Sequence, residues 1–296
     1  MKTFWARLAG AAFAVAATVT AAAAADYRVV SFGDSLSDVG NTFEFTSGSK
    51  PASPPYYQGR FSNGPVWTEI LAGGAMNKFS SAINNAKDTN FAFGGAYAGT
   101  GGQVPTIPTQ IGAYLQKGGK FAAKDVVTLL GGANDIFVLT PASTATNTKK
   151  VATAAADAMA ANLASVLKAG AKVVVISNLP ALDKTPQAKL ASGLGTVYAL
   201  ATKTYNTRLA AKVTAARTAN PTAKIVVLDL NTLFSSVIAS PATFGFTNVT
   251  DACVRVPACV SASTATQNEY MFFDDVHPTT HAHEITAFMA RWALTH

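Results

Sequence analysis

The sequence predicts an α/β fold in which a parallel β-sheet is covered by helices on both faces. Short, mostly apolar and often β-branched segments alternate with longer segments of helical periodicity. That alternation is typical of parallel sheets, whose buried strands are near-continuous apolar runs. The length fits one domain at residues 26–296, and the polar loops at 47–63 and 140–150 do not resemble domain linkers.

The strands are expected where apolar segments stop at or just before Gly, Asn or Asp. They are residues 28–32, 91–93, 126–130, 172–176 and 224–230. Helices are expected at residues 151–169, 188–216 and 284–294. Ligands of such sheets bind beyond the carboxyl ends of the strands, so the site is expected in the loops that follow them.

The first 25 residues have the pattern of a cleavable export signal. Lys2 and Arg7 give a positive start, residues 8–19 are apolar, and a run of alanines ends at Ala25. The apolar run is short for a membrane span of about 20 residues. We therefore predict a signal peptide at 1–25, a mature chain that starts at Asp26, and a secreted or periplasmic location.

Composition narrows the function classes. With 13% charged and 49% hydrophobic residues, the chain is globular rather than disordered. Its formal net charge is +7, and the basic residues are scattered rather than clustered as a nucleic-acid surface requires. We predict no nucleic-acid partner, and the mild positive charge is compatible with a transient contact at a membrane surface.

Cys253 and Cys259 are the two cysteines of the chain and lie in one Pro-containing loop. In an oxidising compartment this spacing predicts a local disulfide. A bridge that closes so short a loop mainly rigidifies that loop.

Four short clusters occur in a fixed order along the chain. They are residues 32–38 (FGDSLSD), 90–96 (NFAFGGA), 131–135 (GGAND) and 274–278 (DDVHP). Together they supply what ester hydrolysis by a serine requires: a nucleophile, oxyanion donors and an acid–histidine pair. Each cluster alone would be weak evidence, because an isolated serine in such a place is more often a helix cap.

Ser35 is the predicted nucleophile and His277 the predicted base. A serine hydroxyl reacts only when a base accepts its proton. Asp274, three residues before His277, is the predicted acid that orients the imidazole through Nδ1, and Asp275 is the alternative. Residues 33–37 are not the G-x-S-x-G nucleophile elbow, because a serine occupies the fifth position.

The oxyanion donors are expected from the backbone of Ser35 and Gly95 and from the side-chain amide of Asn134. Glycine lets a backbone N–H approach the substrate with no Cβ in the way. Gly94 is the alternative to Gly95. Taken alone, the glycine pair equally marks a strand end, and Asn134 equally caps a turn.

A metal site is the alternative use of the histidine-rich segment near the C-terminus. His281 and His283 follow His277, but the spacing is not H-E-x-x-H. Pro278 indicates a helix that begins after His277, so His277 and His281 are not expected to share a helical face. We therefore predict no metal.

The four clusters resemble the GDSL (SGNH) hydrolase family. Residues 33–36 are similar to its nucleophile motif, Gly95 to its oxyanion glycine, 132–135 to its G-x-N-D motif and 274–277 to its D-x-x-H motif. Residues 54–64 resemble the secreted bacterial branch with phospholipase-, lecithinase-, haemolysin- and acyltransferase-type members. The resemblance implies a flavodoxin-like, three-layer α/β/α sandwich (the SGNH hydrolase fold), a Ser-His-Asp esterase mechanism and no cofactor.

The leading hypothesis is a secreted serine esterase or lipase that hydrolyses carboxylic esters through an acyl-enzyme on Ser35. A phospholipase or lipid acyltransferase with the same site is the alternative, and a secreted binding protein with an idle site is a remoter one. Tyr56, Tyr57 and Phe61 lie near the nucleophile in sequence. We hypothesise that they line an acyl or leaving-group pocket, with ordinary loop packing as the alternative.

Overall fold

The computed structural model describes residues 27–296, so the predicted signal peptide lies outside the described residues. Five strands form an all-parallel sheet in the order β2-β1-β3-β4-β5, which is the flavodoxin-like order. A separate parallel pair, β6–β7, precedes the C-terminal helix. The strands are β1 (Val29–Gly33), β2 (Thr89–Asn90), β3 (Val126–Leu130), β4 (Val173–Ser177), β5 (Lys224–Leu228), β6 (Asn248–Ala252) and β7 (Tyr270–Phe272).

Helices connect the strands and cover the sheet. In chain order they are α1 (Asn41–Phe45), α2 (Trp67–Ala72), α3 (Ile107–Gln116), α4 (Ala133–Ile136), α5 (Ala145–Lys168), α6 (Pro186–Lys189), α7 (Leu194–Ala219), α8 (Leu230–Ala239), α9 (Pro257–Val260), α10 (Thr264–Gln267) and α11 (Thr280–Thr295). Short 3₁₀ segments lie at Leu182–Lys184, Pro241–Phe244 and Cys253–Arg255. Within residues 27–296, no helix combines the length and apolar character that a membrane crossing requires.

The strands β1, β3, β4 and β5 each contribute side chains to two apolar layers. On β1, Val30 and Phe32 pack with α3, α5 and α7, whereas Val29 packs with α2, α8 and α11. Successive side chains of a strand point to opposite faces, so a strand covered on both faces must be apolar throughout. The predicted α/β fold with helices on both faces of a parallel sheet is confirmed.

Some predicted boundaries differ from the structure. The strand expected at 91–93 is found at Thr89–Asn90. The N–H groups of Phe91 and Phe93 still donate to the carbonyls of Ser31 and Gly33 (2.8 and 3.1 Å), but the N–H of Gly33 donates to Oε1 of Gln110 (2.9 Å) instead of continuing the ladder. The helix expected from residue 151 begins at Ala145, capped by Thr144, whose hydroxyl accepts the Asn147 N–H. A Ser/Thr/Asn-rich segment thus forms the first turns of α5.

A buried carboxylate joins the loop after β1 to the loop after β2. One oxygen of Asp38 accepts the N–H groups of Gly40 and Asn41, at 2.8 and 2.6 Å. The other accepts those of Thr42 and Gly94, at 3.1 and 2.9 Å. Burial raises the pKa of Asp38, although these donors oppose the shift. Because an unpaired buried carboxylate is costly, these contacts fix Gly94 relative to β1.

Asp38→Asn should lower the free energy of unfolding by about 3 kcal/mol, because the new amide leaves buried N–H groups without an acceptor. Urea denaturation monitored by circular dichroism measures the loss. Asp157→Asn is the control, since it removes an exposed ion pair with Arg208 and should cost about 1 kcal/mol or less. Similar small losses in both variants would contradict the anchoring role of Asp38.

Candidate active site

Ser35 lies in the turn that follows β1. The Ser37 N–H donates to the Asp34 carbonyl (3.0 Å), and the Leu36 N–H donates to Oδ1 of Asp34 (3.0 Å). This turn ends β1 and directs the Ser35 hydroxyl towards the C-terminal segment. Ser35 is 8% exposed, so the residue is largely buried.

His277 and Asp274 lie in the turn that follows β7. Nε2 of His277 is 2.7 Å from Oγ of Ser35, and Nδ1 is 2.6 Å from Oδ2 of Asp274. Oδ1 of Asp274 accepts the N–H groups of Val276 (2.9 Å) and His277 (2.7 Å), which holds the turn closed. Serine, imidazole and carboxylate therefore form one continuous hydrogen-bonded chain.

The alternative acid, Asp275, points away from this chain. Its carboxylate forms a bidentate ion pair with Arg255, with both distances 2.5 Å. Its carbonyl accepts the N–H of Gln187 (3.0 Å). The structure thus brings Asp274, rather than Asp275, to the imidazole.

Burial and neighbouring groups shift the pKa values of His277, Asp274 and Asp34 in different directions. Burial would lower the pKa of His277, but the charge and hydrogen bond of Asp274 outweigh burial and raise that pKa. Burial would raise the pKa of Asp274, but His277 and the Tyr56 hydroxyl bring it to about 2. Burial raises the pKa of Asp34, beside the serine, to about 7, although the hydrogen bond from the Leu36 N–H and the charge of His277 oppose the shift.

Two of the candidate oxyanion donors are backbone N–H groups, those of Ser35 and Gly95, with Gly94 as the alternative to Gly95. The N–H of Gly94 is occupied by Asp38 and by Oγ1 of Thr42 (2.7 Å). Gly95 has a φ of +83°, and within residues 27–296 neither its N–H nor that of Ser35 has a hydrogen-bond acceptor. The geometry therefore favours Gly95 over Gly94 as a donor to a bound substrate.

Asn134 is the second residue of α4, shortly after the end of β3. One N–H of its amide donates to the carbonyl of Ala96 (3.0 Å), and the next residue, Asp135, accepts the N–H of Ala98 through Oδ2 (2.9 Å). An amide has two N–H donors, so the second can serve a ligand. Asn134 and Asp135 thus hold the loop that carries Gly95.

Tyr56, a candidate substrate contact, makes a contact that sequence reasoning missed. Its hydroxyl donates to Oδ2 of Asp274 (2.7 Å), and its ring packs edge-on against Phe273. The two partners are 218 residues apart in the chain, and no local pattern links them. The buried Asp38 was also missed, although an aspartate shortly before a helix start is a common signal for backbone capping.

Phe61 and Tyr57 occupy different positions. The Phe61 ring lies 5.1 Å from the His277 ring and covers Gly94, where an added Cβ would be 2.1 Å from the phenylalanine. Tyr57 is 37% exposed, with the Arg60 guanidinium over its ring. The structure brings Phe61 to the site and leaves Tyr57 at the surface.

The other histidines do not converge with His277 on one point. His281 contacts Glu284 through Nδ1 (3.1 Å) and the Phe244 carbonyl through Nε2 (2.8 Å). His283 is buried, which lowers its pKa to about 3. Within the described residues, no group of three or more His, Cys, Asp or Glu side chains could hold a metal ion.

The predicted disulfide between Cys253 and Cys259 is confirmed. The bridge packs against Phe273, and Tyr56 lies against the same small cluster. The disulfide loop therefore supports the segment that carries Asp274, because Phe273 directly precedes that residue.

Comparison with known proteins places the chain in a family. The family described as GDSL-like Lipase/Acylhydrolase matches residues 29–288. Phosphatidylcholine-sterol acyltransferase from Aeromonas hydrophila is 31% identical, with 91% of each chain covered. Thermolabile hemolysin from Vibrio parahaemolyticus is 29% identical over 88% of this chain and 62% of its own. Secreted effector protein SseJ from Salmonella typhimurium is 25% identical over 91% of this chain and 64% of its own.

The family match extends from β1 into α11 and includes all four sequence clusters. A relative above 30% identity covers 91% of the chain. The chain therefore belongs to the GDSL-like lipase/acylhydrolase family, and it is a carboxylic ester hydrolase.

Proposed function

We propose that the chain hydrolyses esters through an acyl-enzyme on Ser35. Oγ of Ser35 attacks the ester carbonyl carbon as Nε2 of His277 takes the hydroxyl proton. That proton then leaves with the alcohol, and the acyl group stays on Ser35. Water attacks the acyl-enzyme with His277 again as base, and Ser35 recovers its proton as the acid departs. The 2.7 Å contact between Nε2 and Oγ carries the proposal, because a general base must reach the proton that it removes.

Asp274 and the oxyanion donors complete this mechanism. Asp274 keeps the imidazole proton on Nδ1 and stabilises the imidazolium that forms. The N–H groups of Ser35 and Gly95 and the amide of Asn134 would hold the oxygen that becomes negative. Each such donor is typically worth about 10²–10³-fold in turnover.

Export and lipid contact are further parts of the proposal. The signal-like residues 1–25 and the disulfide are both typical of secreted or periplasmic proteins. One relative is named a secreted effector protein. We propose that the enzyme acts outside the cytoplasm on an ester or lipid substrate, with transient contact at a membrane surface.

A phospholipase or lipid acyltransferase is the second candidate function. It is favoured because a relative with 91% coverage of both chains is named phosphatidylcholine-sterol acyltransferase. Both activities form the same acyl-enzyme, and only the acceptor differs: water in hydrolysis, an alcohol in transfer. The residues assigned to Ser35, His277 and the oxyanion donors would serve either reaction.

Ser35→Ala should abolish labelling by a fluorophosphonate probe and lower hydrolysis of p-nitrophenyl esters by about 10⁴-fold or more, because no other hydroxyl contacts His277 in the described structure. Gel fluorescence and a steady-state assay measure the two effects. Ser37→Ala is the matched control, since the Ser37 hydroxyl accepts from Trp67 instead (3.1 Å). Well-folded wild-type protein that escapes the probe would favour the idle-site alternative.

Values of kcat/KM should fall as the pH drops through a midpoint above about 6.5, because His277 must be neutral to accept a proton and its pKa is raised. A pH–rate profile with a p-nitrophenyl ester measures the midpoint. Asp34→Asn tests whether Asp34, whose pKa is about 7, titrates in its place. The variant should keep the transition and move it slightly to lower pH. Loss of the transition would assign it to Asp34.

Phosphatidylcholine vesicles with a sterol should yield free fatty acid, and also sterol ester if the second candidate holds. Mass spectrometry of the products distinguishes the two, and Ser35→Ala should yield neither. Release of water-soluble acids from short esters, with no product from phospholipid, would restrict the function to esterase activity.

A further inference from the structure

The carboxylate of Asp274 accepts four hydrogen bonds, two on each oxygen. Oδ1 accepts two backbone N–H groups, from Val276 and His277. Oδ2 accepts both the imidazole Nδ1–H (2.6 Å) and the Tyr56 hydroxyl (2.7 Å). The phenol therefore shares the oxygen that interacts with the imidazole.

Packing fixes the Tyr56 ring in place. The ring meets Phe273 edge-on at 5.2 Å and Phe61 at 6.3 Å, and Phe61 in turn lies on the His277 ring. The Tyr56 N–H donates to the carbonyl of Ala52 (3.2 Å), which ties the backbone into its loop. The hydroxyl is thus set towards Asp274 before any substrate arrives.

We propose that Tyr56 is a positioning residue of the active site. Its hydroxyl holds the Asp274 carboxylate and limits how strongly that carboxylate draws a proton onto His277. The inference rests on the proposed function of Ser35 and His277, and it is an alternative to the hypothesis that Tyr56 lines a substrate pocket.

The physical basis is a charge-assisted hydrogen bond. A donor on Oδ2 draws negative charge from the carboxylate, and such bonds are roughly twice as strong as neutral ones. Without it, Asp274 would attract the imidazole proton more strongly, so the pKa of His277 would rise further. Burial and the negative charge of Asp274 raise the pKa of Tyr56, so its hydroxyl remains a donor.

Other ionisable groups also face this site. His277 is faced by Asp34 from the turn after β1 and by His283 from α11. Tyr56 is faced by Asp275, which pairs with Arg255. Removal of the Tyr56 hydroxyl leaves all of these groups in place, so a change in the pH profile reports the lost hydrogen bond.

Tyr56→Phe should lower kcat about tenfold with little change in KM, since the ring is kept and only the hydrogen bond to Asp274 is lost. The acid-side midpoint of kcat/KM should move up by about half a pH unit. Steady-state kinetics from pH 5 to 9 measures both. Tyr114→Phe is the matched control, because this buried hydroxyl donates to the Lys120 carbonyl (2.8 Å) and accepts from Arg28 (3.3 Å), at the end of β1 opposite to Ser35. It should leave the midpoint unchanged.

Site-specific incorporation of 3,5-difluorotyrosine at position 56 keeps the ring and its hydroxyl donor, and it should shift the midpoint in the direction opposite to that of Tyr56→Phe. A more acidic phenol donates more strongly, so the midpoint should move to lower pH. This result would support the proposal even if Tyr56→Phe folds poorly.

Unchanged kcat and midpoint in both altered proteins would overturn the inference. A change in KM alone that depends on acyl length would also overturn it and return Tyr56 to substrate binding. Ser35→Ala separates this failure from failure of the proposed function. If that variant is inactive while Tyr56→Phe behaves as wild type, only the inference fails; if Ser35→Ala stays active, the proposed function fails.

Discussion

The site depends on one long-range hydrogen bond, between Nε2 of His277 and Oγ of Ser35, whose residues are 242 positions apart in the chain. Both residues lie in turns that directly follow a strand, and neither turn has a helical scaffold of its own. The nucleophile turn is fixed by β1, near the middle of the parallel sheet. The histidine turn belongs to the peripheral β6–β7 pair, so something must fasten it to the sheet.

The packing of α11 on the sheet and the loop at 47–63 together provide that attachment. The Ser62 hydroxyl donates to the Pro278 carbonyl (2.9 Å), and Oδ1 of Asn63 accepts the N–H of Thr280 (2.7 Å) at the start of α11. These contacts are buried, so water does not compete for them and their loss would leave polar groups unpaired. The Pro- and Tyr-rich loop therefore acts as a clamp on the histidine segment, although its composition resembles that of a surface excursion.

The parts of the protein that depend on local residue patterns could be predicted from the sequence. Apolar runs and their stops predicted the sheet, and the family motifs predicted which residues the structure brings together. The contacts of Tyr56 and Phe61 could not be predicted, because they depend on the path of an irregular loop over residues that are distant in the chain. The sequence predicted Gly95 and left Gly94 as the alternative, since the decision between them depends on which N–H the buried Asp38 already occupies.

Three buried aspartates of the site show that burial alone does not decide ionisation. Burial raises the pKa of Asp34 to about 7 and also raises that of Asp38, although backbone N–H groups bond to Asp38 on both oxygens. Asp274 is nearly as buried, yet its pKa falls to about 2. Of the three, Asp274 is the one that hydrogen-bonds to an imidazole, whose positive charge stabilises the ionised carboxylate. A phenol donates to the same carboxylate oxygen. His277 and Tyr56 therefore keep Asp274 ionised, so that its negative charge can stabilise an imidazolium. The carboxyl of Asp34, beside the nucleophile, has a pKa of about 7 and can change its protonation near neutral pH.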